Sequence, residues 1–230
     1  MTNIASLTLD VADTEAAERF YTAAFGLDVL DFRASDATDA VASGFRGFVL
    51  ALTVSQPSTV DSFVDSAVAA GATVLKPAAK SLWGYGGVVQ APDGAIWKVA
   101  TSAKKDTGPA AREVDEVVLL LGVADVVAAK KFYAGRGLTV GKSFGRMYVE
   151  FATGPVKLAL YRRRALAKDV GVAPEGDGSH GLAIGGDLPA FTDLDGFAWT
   201  TSTRAAAAWE RQAGPRPRSP HRGGQRVVVE

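Results

Sequence analysis

The chain has 230 residues, 47% of them hydrophobic, with 25 basic side chains against 25 acidic ones. The hydrophobic share is ample for packed cores, and the charge balance offers no field for nucleic acid or an anionic membrane surface. Cysteine is absent, which excludes disulfides, thiolate metal sites and a cysteine nucleophile.

Residues 4–11 alternate as a strand. Asp13 is placed to cap a helix running to Phe25, since its carboxylate can accept from a free first-turn amide. Ala17, Phe20, Tyr21 and Ala24 recur at helical spacing and predict its packed face, and Gly26 ends it. Residues 27–32 read as a strand, and 36–43 are small, polar and without a period. Another strand spans 48–54. Thr59 is the expected cap of an amphipathic helix with Val60, Phe63, Val64, Ala67 and Val68 on one side, stopped by Gly71. Strands follow at 73–75, 86–90 and 95–100, the last entered through the turn Pro92-Asp93-Gly94. Residues 103–112 have linker composition. Beyond them come a strand at 114–123, a helix at 125–134, and strands at 138–140, 147–151 and 156–161. The stretch 162–178 is charged and glycine-rich, and strands at 181–184 and 197–200 close the regular pattern.

The order of landmarks occurs twice. Val11-Ala12-Asp13, Phe20-Tyr21 and Gly26-Leu27 return as Val123-Ala124-Asp125, Phe132-Tyr133 and Gly137-Leu138, and Asp93-Gly94-Ala95-Ile96-Trp97 returns as Asp195-Gly196-Phe197-Ala198-Trp199. Two ordered pairs mean a duplicated unit of roughly a hundred residues. The boundaries are a first domain at 1–102, the linker at 103–112, a second domain at 113–203, and a tail at 204–230. The second copy has only 185–192 where the first carries the helix beginning at Thr59, so that helix is expected to be missing. The first copy, conversely, is short between Phe32 and Phe48.

A strand, Val-x-Asp, a helix with Phe-Tyr, Gly-Leu and a later Asp-Gly-x-x-Trp, all twice, resemble the vicinal oxygen chelate superfamily. That group includes glyoxalase I, extradiol dioxygenases, and the bleomycin and fosfomycin resistance proteins. The resemblance implies an α+β fold of two tandem, partly degenerate glyoxalase-like domains built from βαβββ units, with clefts formed by paired units. In metal-dependent members a His lies five residues before the Val of Val-x-Asp, and a Glu four residues after the Gly of Asp-Gly. Here those positions hold Ser6 and Val118, and Lys98 and Thr200. Valine has no donor atom and lysine brings a positive charge, so the resemblance implies metal-free clefts without a cofactor. It points toward the drug-sequestering members rather than the glyoxalase I or dioxygenase activities.

The candidate ligand-binding residues are Trp83, Tyr85, Lys98, Arg146, Tyr148 and Glu150. Trp83 and Tyr85 sit among glycines and suit stacking of a planar molecule, or else anchor a loop by packing. Lys98 can hold an anion or point to solvent. Arg146, Tyr148 and Glu150 alternate along one strand and would share one face, whether lining a cleft or facing solvent. Arg162-Arg163-Arg164 is first a solvated loop edge, with phosphate contact as a weak alternative. His180 reads as a hydrogen-bonded or surface residue rather than a ligand, and His221 lies in the tail. That tail carries six Arg, no Lys and three Pro, and reads as disordered from Gly214 or as a frameshifted end.

The leading expectation is a cytoplasmic, metal-independent protein that binds a small organic molecule, without nucleic-acid or membrane partners and compatible with a homodimer. A lyase or isomerase using Lys98, Glu150 or Tyr85 is the alternative, so catalysis is left open. A structural or regulatory module with vestigial clefts is the third reading. The N-terminus lacks the basic start and apolar core of a signal peptide, and no apolar run approaches the ~20 residues of a membrane helix.

Overall fold

The computed structural model describes residues 2–35 and 43–202; the tail with His221 and the segment 36–42 lie outside them. The first part of the chain contains β1 (Ile4–Val11), α1 (Thr14–Ala24), β2 (Leu30–Ala34) and β3 (Ser43–Gly44). Next come β4 (Phe48–Thr53), α2 (Pro57–Ala69), β5 (Thr73–Ser81), β6 (Gly84–Gln90) and β7 (Ile96–Thr101). After the linker follow β8 (Glu116–Val123), α3 (Val126–Gly135), β9 (Val140–Phe144), β10 (Tyr148–Phe151) and β11 (Val156–Arg162). The last elements are α4 (Arg163–Val170), β12 (Gly176–Asp177), β13 (Leu182–Gly186), β14 (Phe191–Thr192) and β15 (Ala198–Thr201).

The helix starts follow from side-chain chemistry. Asp13 is extended, and its carboxylate accepts from Ala16 N at 3.0 Å to start α1. Asp125 does the same for α3, accepting from Val127 N at 2.8 Å and Ala128 N at 3.2 Å. Those two amides hold the Asp125 carboxyl below its ordinary value. α2 corrects the expected cap: Gln56 is the N-cap, Pro57 opens the helix, and Thr59 lies buried inside the first turn. The fixed φ of proline suits a first helical position, where its missing N–H costs nothing.

The strands form an eight-stranded sheet in the order β5-β6-β7-β4-β8-β11-β10-β9, a five-stranded sheet in the order β14-β15-β13-β1-β2, and a short pair of β3 with β12; the two large sheets carry the architecture. The eight-stranded sheet is two complete βαβββ units joined at the antiparallel pair β4–β8, where Ala51 faces Val118. The five-stranded sheet is joined at β1–β13, where Ser6 faces Gly185. Each sheet therefore takes strands from both copies of the repeat, and the linker separates the copies in sequence but not the sheets.

The shortened intervals meet in one place. Among the described residues β13 runs to β14 with no helix between them, and β2 is the edge strand of its sheet, with β3 paired elsewhere. One complete sheet and one eroded sheet result. A single core connects the two sheets with α1, α2 and α3. Alternation sends Val117, Leu119, Leu121 and Val123 of β8 into this core, and Val118 and Leu120 to the opposite face. That opposite face carries a second, smaller core built around α4.

α4 adds a helix within the charged, glycine-rich stretch 162–178, to which the sequence pattern assigns no element. Leu166, Ala167 and Val170 form an apolar stripe at helical spacing, and Gly171 at φ 84° stops the helix in the left-handed conformation. The charged residues around the stripe obscured it. β5 also runs further than expected, through Pro77 by way of two register shifts.

Candidate functional site

The face of the eight-stranded sheet that points away from α1, α2 and α3 brings together positions far apart in sequence. Pairing aligns Lys98 with Ala51, Ala51 with Val118, and Val118 with Lys157, one row across four neighbouring strands. In the five-stranded sheet Ser6, Gly185 and Thr200 form the corresponding row. The positions where metal-dependent relatives would carry His and Glu thus meet crosswise between the copies: Val118 with Lys98, and Ser6 with Thr200. These residues do not fit a divalent ion. One row offers two ammonium groups and two alkyl groups, and the other offers two hydroxyls and a glycine. Among the described residues no three His, Cys, Asp or Glu side chains are grouped to hold a metal ion.

α4 sits on this face. Leu166, Ala167 and Val170 pack with Val49, Val88, Ile96, Val118, Leu120 and Ala159 in one buried cluster. Two lysines from the other end of the sheet grip the end of the helix. Lys98 Nζ lies 2.6 Å from Asp169 Oδ2, with the two side chains 32% and 41% exposed. Lys76 Nζ donates to the carbonyls of Lys168 at 3.1 Å and Asp169 at 2.5 Å. Cations are favoured there because the last carbonyls of a helix carry partial negative charge. Lys157, the far member of the row, is paired with Glu116 of β8.

Of the six candidates, Lys98, Tyr148 and Glu150 share this face. They do not form one constellation: β10 lies four strands from β7, roughly 19 Å at the usual strand spacing. The Tyr148 hydroxyl donates to Glu150 Oε2 at 2.8 Å, and Lys142 stands 3.7 Å from the same carboxylate. Burial, then Glu150, raises the Tyr148 pKa well above its ordinary value. Tyr85 lies on the opposite, helix-covered face, where its hydroxyl donates to Asp61 of α2 at 2.8 Å, a bond that raises its pKa. Trp83 is 84% exposed at the tip of the β5–β6 hairpin. Arg146 is exposed in the turn between β9 and β10, so it is not in strand alternation with Tyr148 and Glu150. Lys76, Ala51, Lys157 and Asp169 were not legible as site residues, because their proximity depends on strand pairing and on α4.

Both motifs of the repeat turn out to be joints. The Tyr21 hydroxyl donates to both carboxylate oxygens of Asp93 at 3.0 and 2.9 Å, fixing α1 to the turn before β7. Burial and this carboxylate raise the Tyr21 pKa. In the second copy the Tyr133 hydroxyl donates to Asp193 at 2.5 Å and accepts from Trp199 Nε1 at 3.3 Å. The partner there is Asp193, while Asp195, aligned by sequence with Asp93, accepts from Ala124 N. His180 stacks on Phe197 with ring centroids 3.8 Å apart, and its nitrogens contact the carbonyls of Arg46 and Asp195 at 2.6 and 2.9 Å. It is a brace, as its hydrogen-bonded reading implied. Arg162, Arg163 and Arg164 border a cavity of about 590 Å³ that also touches Val123, Ala124 and Met147. An apolar cavity of about 470 Å³ lies against α1, between Ala16, Phe20, Ala70 and Pro92.

No family model matches the sequence, and no curated protein does. Solved structures do match in fold. Glyoxalase I from Zea mays superposes with a TM-score of 0.55 at 13% identity, covering 94% of this chain and 98% of its own. A mutant of the same enzyme gives 0.55 at 14% identity, covering 86% and 92%. A glyoxalase/bleomycin resistance protein/dioxygenase family enzyme from Burkholderia phytofirmans covers 44% of this chain and 98% of its own at 23% identity, with a TM-score of 0.39. Paired βαβββ units in register, the repeated joints and this likeness along the length of glyoxalase I identify the chain's fold as that of the vicinal oxygen chelate superfamily.

Proposed function

We propose that the protein binds a small organic molecule without a metal, on the face of the eight-stranded sheet that α4 now covers. The observation that carries this reading is the row Lys98–Ala51–Val118–Lys157. It replaces the donors a metal needs with ammonium groups at both ends and small apolar side chains between them. Such a surface suits a ligand with an apolar body and negative charge. Catalysis by Lys98, Glu150 or Tyr85 is less well supported, since Lys98 is ion-paired, Glu150 stands four strands away and Tyr85 is on the other face. A structural module with vestigial clefts is the second reading, favoured by the packing of α4 over the row. The proposal carries with it a cytoplasmic location and a homodimer, the latter checked by light scattering. Among the described residues no helix is long and apolar enough to cross a membrane.

A thermal-shift screen of small organic acids, amines and neutral aromatics, with elemental analysis of protein purified without chelator, tests the proposal. Stabilisation by at least one ligand class and less than one equivalent of zinc, nickel, manganese or iron per chain are expected. A stoichiometric metal, or a screen with no stabilising compound, would overturn it.

A further inference from the structure

The contacts of α4 describe, in negative, what its place on the sheet recognises. We infer that the face takes an apolar monocarboxylate, and that α4 is a tethered competitor for it; this rests on the small-molecule reading above. Asp169 supplies the carboxylate, on Lys98 at 2.6 Å. Leu166, Ala167 and Val170 supply the apolar body, spanning one helical turn, about 6 Å along the axis. Lys76 adds two hydrogen bonds to the adjacent carbonyl oxygens, so two ammonium groups converge on one cluster of oxygens. A free carboxylate presents two such oxygens in a compact group and matches that pair. An amine would meet like charge, and a neutral ligand would leave Lys98 unpaired once Asp169 withdrew.

The helix is built to be exchanged. It is eight residues long, begins at Arg162 without a side-chain cap, and ends at the left-handed Gly171. Arg163 anchors its start, donating to Phe45 O at 2.6 Å and Pro174 O at 2.9 Å; beyond that first turn its hold on the sheet comes from Leu166, Ala167, Val170 and the two lysine contacts, with Arg164, Lys168 and Asp169 exposed. Lys98 is the end of the row open to exchange, because its partner lies on this short helix.

Calorimetric titration of the full chain with octanoate and with octanol tests the inference, alongside amide hydrogen exchange of residues 163–170. The variants are Asp169→Asn, Lys98→Met and the two combined. Octanoate is expected to bind Asp169→Asn roughly tenfold more tightly than wild type, the worth of one charge-assisted hydrogen bond. Lys98→Met should remove that gain in the double variant, octanol should bind wild type and Asp169→Asn far more weakly than octanoate does, and octanoate should speed exchange in α4. Equal binding of octanol and octanoate with faster α4 exchange would overturn the carboxylate assignment and leave small-molecule binding standing. Binding of octanoate without faster exchange would overturn the competitor role. If neither compound binds any variant and α4 exchange stays slow, this inference falls, while a hit of another class in the thermal-shift screen would still sustain the broader reading.

Discussion

Replacing Tyr133 by Phe and, separately, Tyr21 by Phe should weaken the fold unequally. Both hydroxyls sit at repeat-related joints, but their surroundings differ. The Tyr133 hydroxyl is buried between two partners, donating to Asp193 and accepting from Trp199 Nε1, and both partners are themselves buried. Its loss removes a hydrogen bond to a charged group, about 1.5–3 kcal/mol, and leaves an indole N–H unpaired, about 1–3 kcal/mol more. Asp193 keeps its bonds from Asp195 N at 3.0 Å and Phe197 N at 2.8 Å, so the sum belongs at the lower end, about 3 kcal/mol. The Tyr21 hydroxyl hydrogen-bonds Asp93, which is half-exposed and can be rehydrated, while Trp97 Nε1, the counterpart of Trp199 Nε1, has no hydrogen bond there to lose. About 1 kcal/mol is expected there. Urea unfolding followed by circular dichroism would measure both, read as midpoint shifts at constant slope. In a domain of this size 3 kcal/mol corresponds to a fall of roughly 6–12 °C in melting temperature. Equal costs for the two variants, or a Tyr133→Phe cost under about 0.5 kcal/mol, would refute the account of these motifs as joints.

Asp125→Ala should destabilise the protein near neutral pH by removing the α3 cap. Because the folded-state pKa of Asp125 lies below its ordinary 3.8, its contribution is present above that value and lost as pH falls through the lowered one. The gap between variant and wild type, measured by thermal melts, should therefore close in strong acid; a gap constant with pH would contradict the cap. Gln56→Ala should cost about 1–3 kcal/mol and speed proteolysis within 103–112, since the buried Gln56 amide binds Thr107 N at 2.8 Å, Gly108 O at 3.0 Å and Pro109 O at 2.8 Å. Unchanged cleavage would mean the linker is held elsewhere. Arg46→Ala should cost about 2 kcal/mol, and Arg46→Lys should fail to restore it, because the guanidinium reaches the carbonyls of His180, Gly181 and Asp93 together. Full rescue by lysine in urea unfolding would show that charge alone matters there.

The duplicated landmarks made the α+β class and the βαβββ units legible, because they mark positions where packing leaves little choice. Tyr21 and Tyr133 must be aromatic and polar, Asp13 and Asp125 must cap, and Trp97 and Trp199 fill the core. The same property explains why these landmarks said little about chemistry: Tyr21, Trp97, Tyr133 and Trp199 belong to the core between the sheets, not to the face that carries Lys98. What could not be read was which units pair. The sequence orders Ser6 with Lys98 and Val118 with Thr200, within copies, whereas hydrogen bonding between copies groups Val118 with Lys98 and Ser6 with Thr200. Trp83 shows a second limit. An aromatic beside glycines reads equally as a stacking platform or a hairpin tip, and only the length of β5 places it at the tip.

The Lys98–Ala51–Val118–Lys157 row is nearly symmetric about the β4–β8 junction, with a lysine at each end and a small apolar residue on each side. Symmetry of that kind would give two equivalent ends, yet the counter-charges break it. Glu116, paired with Lys157, belongs to β8, a central strand hydrogen-bonded on both sides, and cannot leave without unfolding the sheet. Asp169, paired with Lys98, belongs to a short helix that lies on the sheet and adds no strand to it. On the reading proposed above, the Lys157 end keeps its counter-charge beside it, and the Lys98 end loses its own when α4 undocks. A ligand competing for the row has one charged end available to it, and that asymmetry follows from which kind of element each acid stands on rather than from the strength of either ion pair.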